Sequence, residues 1–85
     1  MTTLIQEFIN DYPNLWSVSP ADRDRVIQMM TLIENCVIHK HTAGGFITAI
    51  VQEDFIRAAF NADETNFRRI GIYICFRDFL KNYQK

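Results

Sequence analysis

The chain has 85 residues, of which 48% are hydrophobic and 13% aromatic, and its formal net charge is −1. This apolar content excludes a disordered chain, and the small net charge excludes the basic balance of a typical nucleic-acid-binding module. A chain of this length is expected to form one domain, 1–85, that buries only about two-thirds of the surface exposed when it is unfolded. We therefore expect some apolar surface to remain for a second copy or a partner.

The first two helices are indicated by their start and stop signals. Apolar residues at helical spacing predict a first helix at 3–12, which ends before Pro13. Ser19, followed by proline and then an acidic residue, is a strong N-cap and predicts a second helix at 20–40. Trp16 lies between these helices and is expected to fold back as an anchoring side chain.

The second half of the chain has a glycine pair between two apolar-periodic segments. Gly44 and Gly45 are expected to end the second helix and to allow a third helix at 46–60 to begin at an angle. Asp63 is a good N-cap for a fourth helix at 63–82. These elements predict an all-α, compact four-helix bundle whose last two helices form an αα-hairpin.

The last helix contains the segment I-G-I-Y-I-C-F, 70–76, for which a strand is the alternative because it is β-branched and aromatic. A helix is preferred, since the charged residues on both sides recur at helical spacing and the whole segment is too long for one strand. Gly71 then costs about 1 kcal/mol relative to alanine, which suggests that another backbone or a ligand approaches closely.

Excess aromatic surface on the last helix predicts a symmetric homo-oligomer. The residues expected at its interface are Trp16, Phe76, Phe79 and Tyr83. Neither a signal peptide nor an apolar run of bilayer-spanning length is visible, so we expect a cytoplasmic protein without a membrane partner. Cys36 and Cys75 lie among apolar neighbours, where a buried free thiol is the usual state.

The segment from Gly44 to Phe67 resembles a pattern common in small helical proteins encoded by bacteriophages and prophages. That pattern has a small-residue turn followed by Phe-Leu, then Asn-Asp-Leu, then Ala-Asp with an asparagine three positions on. The matching positions here are Gly45-Phe46, Asp54-Phe55, Ala62-Asp63 and Asn66, while Glu53 replaces the usual asparagine. The resemblance implies a phage origin, location in the host cytoplasm and action by binding a host component.

Arg69, Tyr73, Arg77 and Lys81 form a stripe along one face of the last helix at intervals of four residues, and the first three are the first candidate ligand site. Neither arginine has a carboxylate three or four residues away. Free guanidinium groups beside a tyrosine ring can hold phosphate oxygens while the ring stacks on a base. The alternative is a solvated helix face with a half-buried tyrosine.

Gly44 and Gly45 form the second candidate site. Two glycines expose the first amides of the next helix, and these free donors suit an anion. The alternative is a plain turn between helices. A combined phosphate site requires that the three residues of the last helix, from the same or a neighbouring subunit, face this turn.

Metal and catalytic chemistry have little support. Cys36, His39 and His41 offer three potential zinc ligands, but no second pair stands at a matching spacing. Asp54 and Asp63 are accounted for by a wet face and by capping, respectively, and no nucleophile motif occurs. We expect no catalytic residues, no metal and no cofactor.

Three functions remain open, and all of them are binding functions. The first is sequestration of a small phosphorylated molecule, such as a nucleotide immune signal of the host, in pockets between subunits. The second is inhibition of a host enzyme or defence complex through apolar helix faces. A nucleic-acid-binding regulator is the third, and the net charge and the missing recognition helix make nucleic acid the least favoured partner.

Overall fold

The computed structural model describes residues 1–83, and every regular element in that range is an α-helix. The described helices are α1 (Thr3–Asp11), α2 (Pro20–His39), α3 (Gly45–Val51), α4 (Phe55–Asn61), α5 (Glu64–Arg68) and α6 (Ile70–Tyr83). The all-α prediction is confirmed, including a helix rather than a strand at 70–76. Residues 1–83 form six helices instead of four, because each of the last two predicted helices is divided in two.

α1 is tied to α2 through its N-cap. The Thr2 hydroxyl accepts a hydrogen bond from the Ile5 amide at 3.2 Å and donates one to Glu34 Oε1 at 2.6 Å. One hydroxyl therefore satisfies a free amide of α1 and also a buried carboxylate on α2. The helix ends at Asp11, one residue before the predicted end, with Tyr12 as its C-cap ahead of Pro13.

α2 begins as predicted and ends differently. Ser19 is at the N-cap position and Pro20 is the first residue, as the sequence predicted, but the Ser19 side chain makes no capping hydrogen bond. At the other end Lys40 takes the left-handed conformation, with φ 60°, and the His41 amide donates to the Asn35 carbonyl at 3.0 Å. That pattern closes a helix and usually has glycine at the left-handed position. The glycine pair was therefore wrongly predicted to end α2, since neither Gly44 nor Gly45 has a positive φ.

The predicted third helix, 46–60, is α3 followed by α4. Glu53 breaks it in the left-handed conformation, with φ 63°. Asp54 then starts α4 as its N-cap, since its carboxylate accepts the Arg57 amide at 3.2 Å. The apolar periodicity continues across this break, which is why the sequence pattern predicts one helix.

The predicted fourth helix, 63–82, is α5 followed by α6. Asp63 caps α5 as predicted, accepting the Asn66 amide at 2.8 Å. Arg69 leaves the helical conformation, with φ −107° and ψ 10°, and α6 begins at the next residue. The break turns the Arg69 side chain towards the start of α2, where it finds its partners.

The core is formed where α1, α2, α3 and α6 meet. Its largest fully buried side chains are Ile5, Phe8, Val26, Met30, Ile33, Ile50, Tyr73, Phe76 and Leu80. Aromatic rings meet edge to face within it, as for Phe8 and Phe76, whose centroids are 5.2 Å apart. α6 packs against α2 and α3, and α4 packs against α3. Trp16 is half-buried against this core.

Gly71 lies on the exposed side of α6. A Cβ atom built on it would meet no atom within 4 Å, and its φ is not positive. The expected close approach of another backbone is therefore not found among residues 1–83, and the expected approach of a ligand stays a prediction. Nothing in the described part of the chain requires glycine at this position.

Candidate binding surfaces

Tyr73 does not line an open site. Its side chain is completely buried, and its hydroxyl donates a hydrogen bond to Asn66 Oδ1 at 3.0 Å. The Asn66 amide group in turn reaches the Met29 sulfur at 3.5 Å. Burial raises the pKa of Tyr73 well above its ordinary range. A ring enclosed in this way cannot stack on a base, so the prediction of Tyr73 as a ligand-binding residue is wrong for the folded monomer.

Arg69 has a carboxylate partner on α2, which is distant along the chain but in contact in the fold. Its Nη2 lies 3.0 Å from Asp22 Oδ2, and Arg68 donates to both oxygens of the same carboxylate. Hydrogen bonds from Arg68 lower the pKa of Asp22; burial opposes this shift, and Arg69 reinforces it. The prediction that Arg69 is unpaired is wrong, because its carboxylate partner lies on α2 and not three or four residues away on the same helix.

Arg77 binds the C-terminal end of α3. Its Nε donates to the Val51 carbonyl at 2.9 Å, and its Nη1 lies 3.7 Å from Glu53 Oε1. Only 16% of the side chain is exposed. The last carbonyls of a helix have no partner within that helix, so Arg77 caps α3 from outside. The guanidinium group is therefore held through Nε and lies near a carboxylate, while Nη1 is buried without a hydrogen-bond partner among residues 1–83.

The glycine turn lies at the opposite end of α3 from Arg77. Gly44 is the N-cap of α3 and Gly45 its first residue, whereas Arg77 contacts Val51, the last residue. The length of the helix, roughly 10 Å at 1.5 Å per residue, separates the two groups within one chain. The monomer therefore does not bring together the elements of the predicted phosphate site.

Cys36, His39 and His41 do not come together as a metal site either. The two imidazole rings are 6.0 Å apart, and among residues 1–83 no three His, Cys, Asp or Glu side chains form a metal-binding group. Cys36 is half-buried, and burial raises the pKa of its thiol. Cys75, by contrast, is exposed on α6, so the expectation of two buried thiols is wrong for Cys75.

The outer face of α4 carries large apolar side chains in water. Ile56 is 75% exposed and Phe60 is 87% exposed, four residues apart on the same side of the helix. The inner side is made by alanine, with Ala58 fully buried. This arrangement reverses the usual amphipathic pattern. In the sequence, two adjacent alanines beside large apolar residues signal this reversed pattern. The apolar periodicity that continues over 46–60 hides the signal, because it predicts one amphipathic helix.

Arg57 lies between these two apolar residues and has no carboxylate within 4 Å in the part of the chain that is described. The i, i+4 pair that its spacing from Glu53 suggests does not form. Glu53 instead lies near Arg77 and Lys81, because its left-handed backbone turns it towards α6. We call Ile56, Arg57 and Phe60 the α4 face.

A groove of about 670 Å³ runs beside α6. Its walls include Tyr12, Leu15, Phe55, Ile74, Cys75, Asp78, Phe79 and Tyr83. Two residues predicted at an oligomer interface, Phe79 and Tyr83, are therefore at a surface depression. Phe76 is completely buried within the monomer and cannot form an interface, so that prediction is wrong. We call this depression the α6 groove.

The residues that carry the phage-protein resemblance have structural roles. Asp54 and Asp63 cap α4 and α5, and Asn66 accepts the hydrogen bond of the buried Tyr73 hydroxyl. Phe46 packs edge to face against Tyr73, with centroids 5.7 Å apart. In this chain these residues start two short helices and fix them to the core.

Comparison of the chain with known protein families, characterised proteins and solved structures gives no significant match. No helix within residues 1–83 is both long and apolar enough to cross a membrane. Fold and surface define a small all-α protein in which the candidate phosphate-binding side chains are used internally, while apolar side chains of α4 remain outside.

Proposed function

We propose that this protein acts without catalysis, as a binding protein that docks on a partner protein through the α4 face. The observation that carries the proposal is the exposure of Ile56 and Phe60 on one side of a helix whose other side holds alanines. A monomeric protein rarely keeps large apolar side chains together in water unless a partner covers them.

The energetics support docking through few residues. Complete burial of an isoleucine or phenylalanine contributes about 1.5–3 kcal/mol each. Helices that dock in this manner insert anchors spaced three or four residues apart into an apolar groove. Arg57 has no carboxylate partner of its own, which favours a partner whose groove carries an acidic side chain at its edge.

The phage-protein resemblance makes a host protein the natural partner, and blocking that protein the natural outcome. We also propose that the protein is a homo-oligomer, since so small a domain gains stability from covering apolar surface. Sequestration of a phosphorylated signal is less favoured, because Arg69, Tyr73 and Arg77 each have hydrogen-bonding partners inside the chain.

Replacement of both anchors by aspartate tests the proposal. Ile56→Asp/Phe60→Asp should keep the melting temperature close to that of wild type, since both side chains are exposed. Wild type fixed to a column should retain a host protein in stoichiometric amount, and the variant fixed in the same way should not retain it. Gln28→Asp, on the exposed side of α2, is the control and should retain the same protein.

Equal retention by the aspartate variant and wild type would contradict the proposal. A panel of mononucleotides and cyclic dinucleotides provides the opposite arm. A ligand at a hundred times its dissociation constant stabilises a protein by about 2.7 kcal/mol. A rise in melting temperature with any of these compounds would return the sequestration hypothesis to first place.

A further inference from the structure

We infer that the α6 groove is a self-association surface, on which a second copy of this chain docks about a two-fold axis with the two α6 helices antiparallel. The inference rests on the proposed oligomer and names its surface. It leaves the α4 face free for the partner protein, so a dimer would present that face twice.

The exposed side of α6 carries an unpaired carboxylate. Asp78 lines the groove and receives only a long hydrogen bond, 3.4 Å, from Asn82 on its own helix. No lysine or arginine nitrogen among the described residues lies within 4 Å of it. The two basic residues nearest along the chain, Arg77 and Lys81, are both directed to Glu53.

Lys81 is poorly satisfied by that contact. Its Nζ is 3.8 Å from Glu53 Oε1, and half of its side chain is exposed. An exposed pair at this distance contributes little. Lys81 is not among the residues that line the groove; it lies about one turn from Asp78, which does line it. Asp78 and Lys81 stand three residues apart, and Ile74 stands four residues before Asp78, which is the alternating spacing of a helix–helix seam.

The charge order selects the orientation of the second copy. An antiparallel crossing places Asp78 opposite Lys81 of the partner subunit, and the two-fold axis forms the same pair again. A parallel crossing in register would place each residue opposite its own copy, so that like charges repel. Asp78 and Lys81 together give the seam no net charge, with one acidic and one basic end. A second copy in the reversed direction matches this charge order better than a ligand that carries only positive or only negative charge.

Exposed apolar walls supply the area around this seam. Tyr83 is 57% exposed and Tyr12 is 47% exposed, and Leu15 and Phe55 are partly exposed beside them. Because an aromatic side chain covers about 150–250 Å², these walls offer roughly 300 Å² per copy. A standard interface needs about 800 Å² per partner, so the rest must come from polar surface. The expected complex is a weak dimer that forms with rising concentration.

The test is sedimentation equilibrium over a wide concentration range. Wild type should approach a dimer as its concentration rises. Asp78→Lys puts two basic residues on the seam and Lys81→Asp puts two acidic ones there, so each variant alone should dimerise at least about tenfold more weakly. A mixture of the two variants should recover the association, because every pair across the axis is then attractive.

A monomeric wild type at all concentrations would overturn the inference. So would single variants that dimerise as wild type does, or a mixture that fails to associate although each variant keeps its helical circular dichroism. Where either charge reversal impairs folding, Asp78→Asn and Lys81→Gln replace it and should weaken the dimer by a smaller factor.

The two proposals fail separately. A monomeric Asp78→Lys variant that still retains the host protein supports this inference together with the role of the α4 face. A wild-type monomer that retains the host protein removes only the dimer surface. Loss of the dimer in Ile56→Asp/Phe60→Asp would assign self-association to α4 and overturn the α6 inference.

Discussion

Tyr73 is the largest of the completely buried side chains, and its hydroxyl group is a polar atom within the apolar core. The hydrogen bond to Asn66 satisfies two polar groups that water cannot reach. Removing one partner leaves the other with its full desolvation cost. The tyrosine is therefore a core residue whose single polar atom has a fixed partner.

Tyr73→Phe should lower the free energy of unfolding by about 1–3 kcal/mol, because Asn66 Oδ1 is left without a donor. Urea unfolding followed by circular dichroism measures the difference. Tyr12→Phe removes the same atom from a half-exposed side chain and should change stability by less than about 0.5 kcal/mol. Equal effects of the two substitutions would contradict the role assigned to the buried hydrogen bond.

Asp22 makes stability depend on pH in the acid range. Its pKa in the folded chain is below the ordinary value of about 3.9, so the unfolded chain binds the proton more tightly. The stability contributed by Asp22 is therefore fully present above about pH 5 and is lost as the pH falls below 3.9 through the folded pKa.

Asp22→Asn should flatten the fall of unfolding free energy between about pH 5 and pH 2, and should lower stability at neutral pH because both arginines lose their carboxylate. Asp24→Asn, which removes an exposed carboxylate from the same helix, is the control. Parallel pH profiles for Asp22→Asn and wild type would show that the pairs with Arg68 and Arg69 do not stabilise the fold.

Among the helices, the break between α3 and α4 depends on a residue in an unfavourable conformation. The left-handed region costs an ordinary L-residue about 1–2 kcal/mol, and Glu53 occupies it. Arg77 holds the carbonyl of Val51 on one side of the break, and Asp54 caps α4 on the other. These contacts fix the turn despite its strain.

Glu53→Gly should be more stable than Glu53→Ala by about 1 kcal/mol, because both lose the same carboxylate and only glycine is relaxed at positive φ. A domain of this size responds with roughly 4–8 °C in melting temperature. The order should reverse at Gln52, whose φ is −83°, so that Gln52→Ala is the more stable of its pair. The same order at both positions would rule out strain at Glu53.

α6 contains an unneeded glycine. Gly71→Ala should stabilise the monomer by up to about 1 kcal/mol, since a Cβ atom there meets no other atom and alanine favours the helix. Thermal unfolding of dilute protein measures the gain. A destabilised variant would indicate that something outside residues 1–83 approaches this side of the helix.

The sequence predicted the elements better than the connections between them. Ser19 and Asp63 were found at N-cap positions because helix starts are signalled locally, although only Asp63 accepts a capping hydrogen bond through its side chain. The breaks at Glu53 and Arg69 were missed because they depend on contacts with Arg77 and Asp22, distant along the chain. The prediction of free arginines at 69 and 77 was wrong for the same reason, since the partners of both side chains lie on other elements.

For the molecule as a whole, the two thiols report which surfaces are open. Cys75 is exposed in the α6 groove, whereas Cys36 is half-buried and has a raised pKa. In dilute, monomeric protein a thiol reagent at pH 8 should modify Cys75 first and Cys36 more slowly, because the thiolate is the reactive form and the reagent must reach it. Cys75→Ser should remove the fast phase only, and loss of the slow phase instead would contradict this arrangement.

The uneven helix lengths have a consequence for how the chain becomes a folded protein during its synthesis. Isolated helices shorter than about 12–15 residues are marginal in water, and α2, with 20 residues, is the longest element while α3, α4 and α5 have seven or fewer. Tyr73, Phe76 and Leu80 of α6 complete the core, and α6 is the last described element to leave the ribosome. The apolar sides of the earlier helices therefore stay uncovered until α6 has also been synthesised, so the core cannot close before that helix is available.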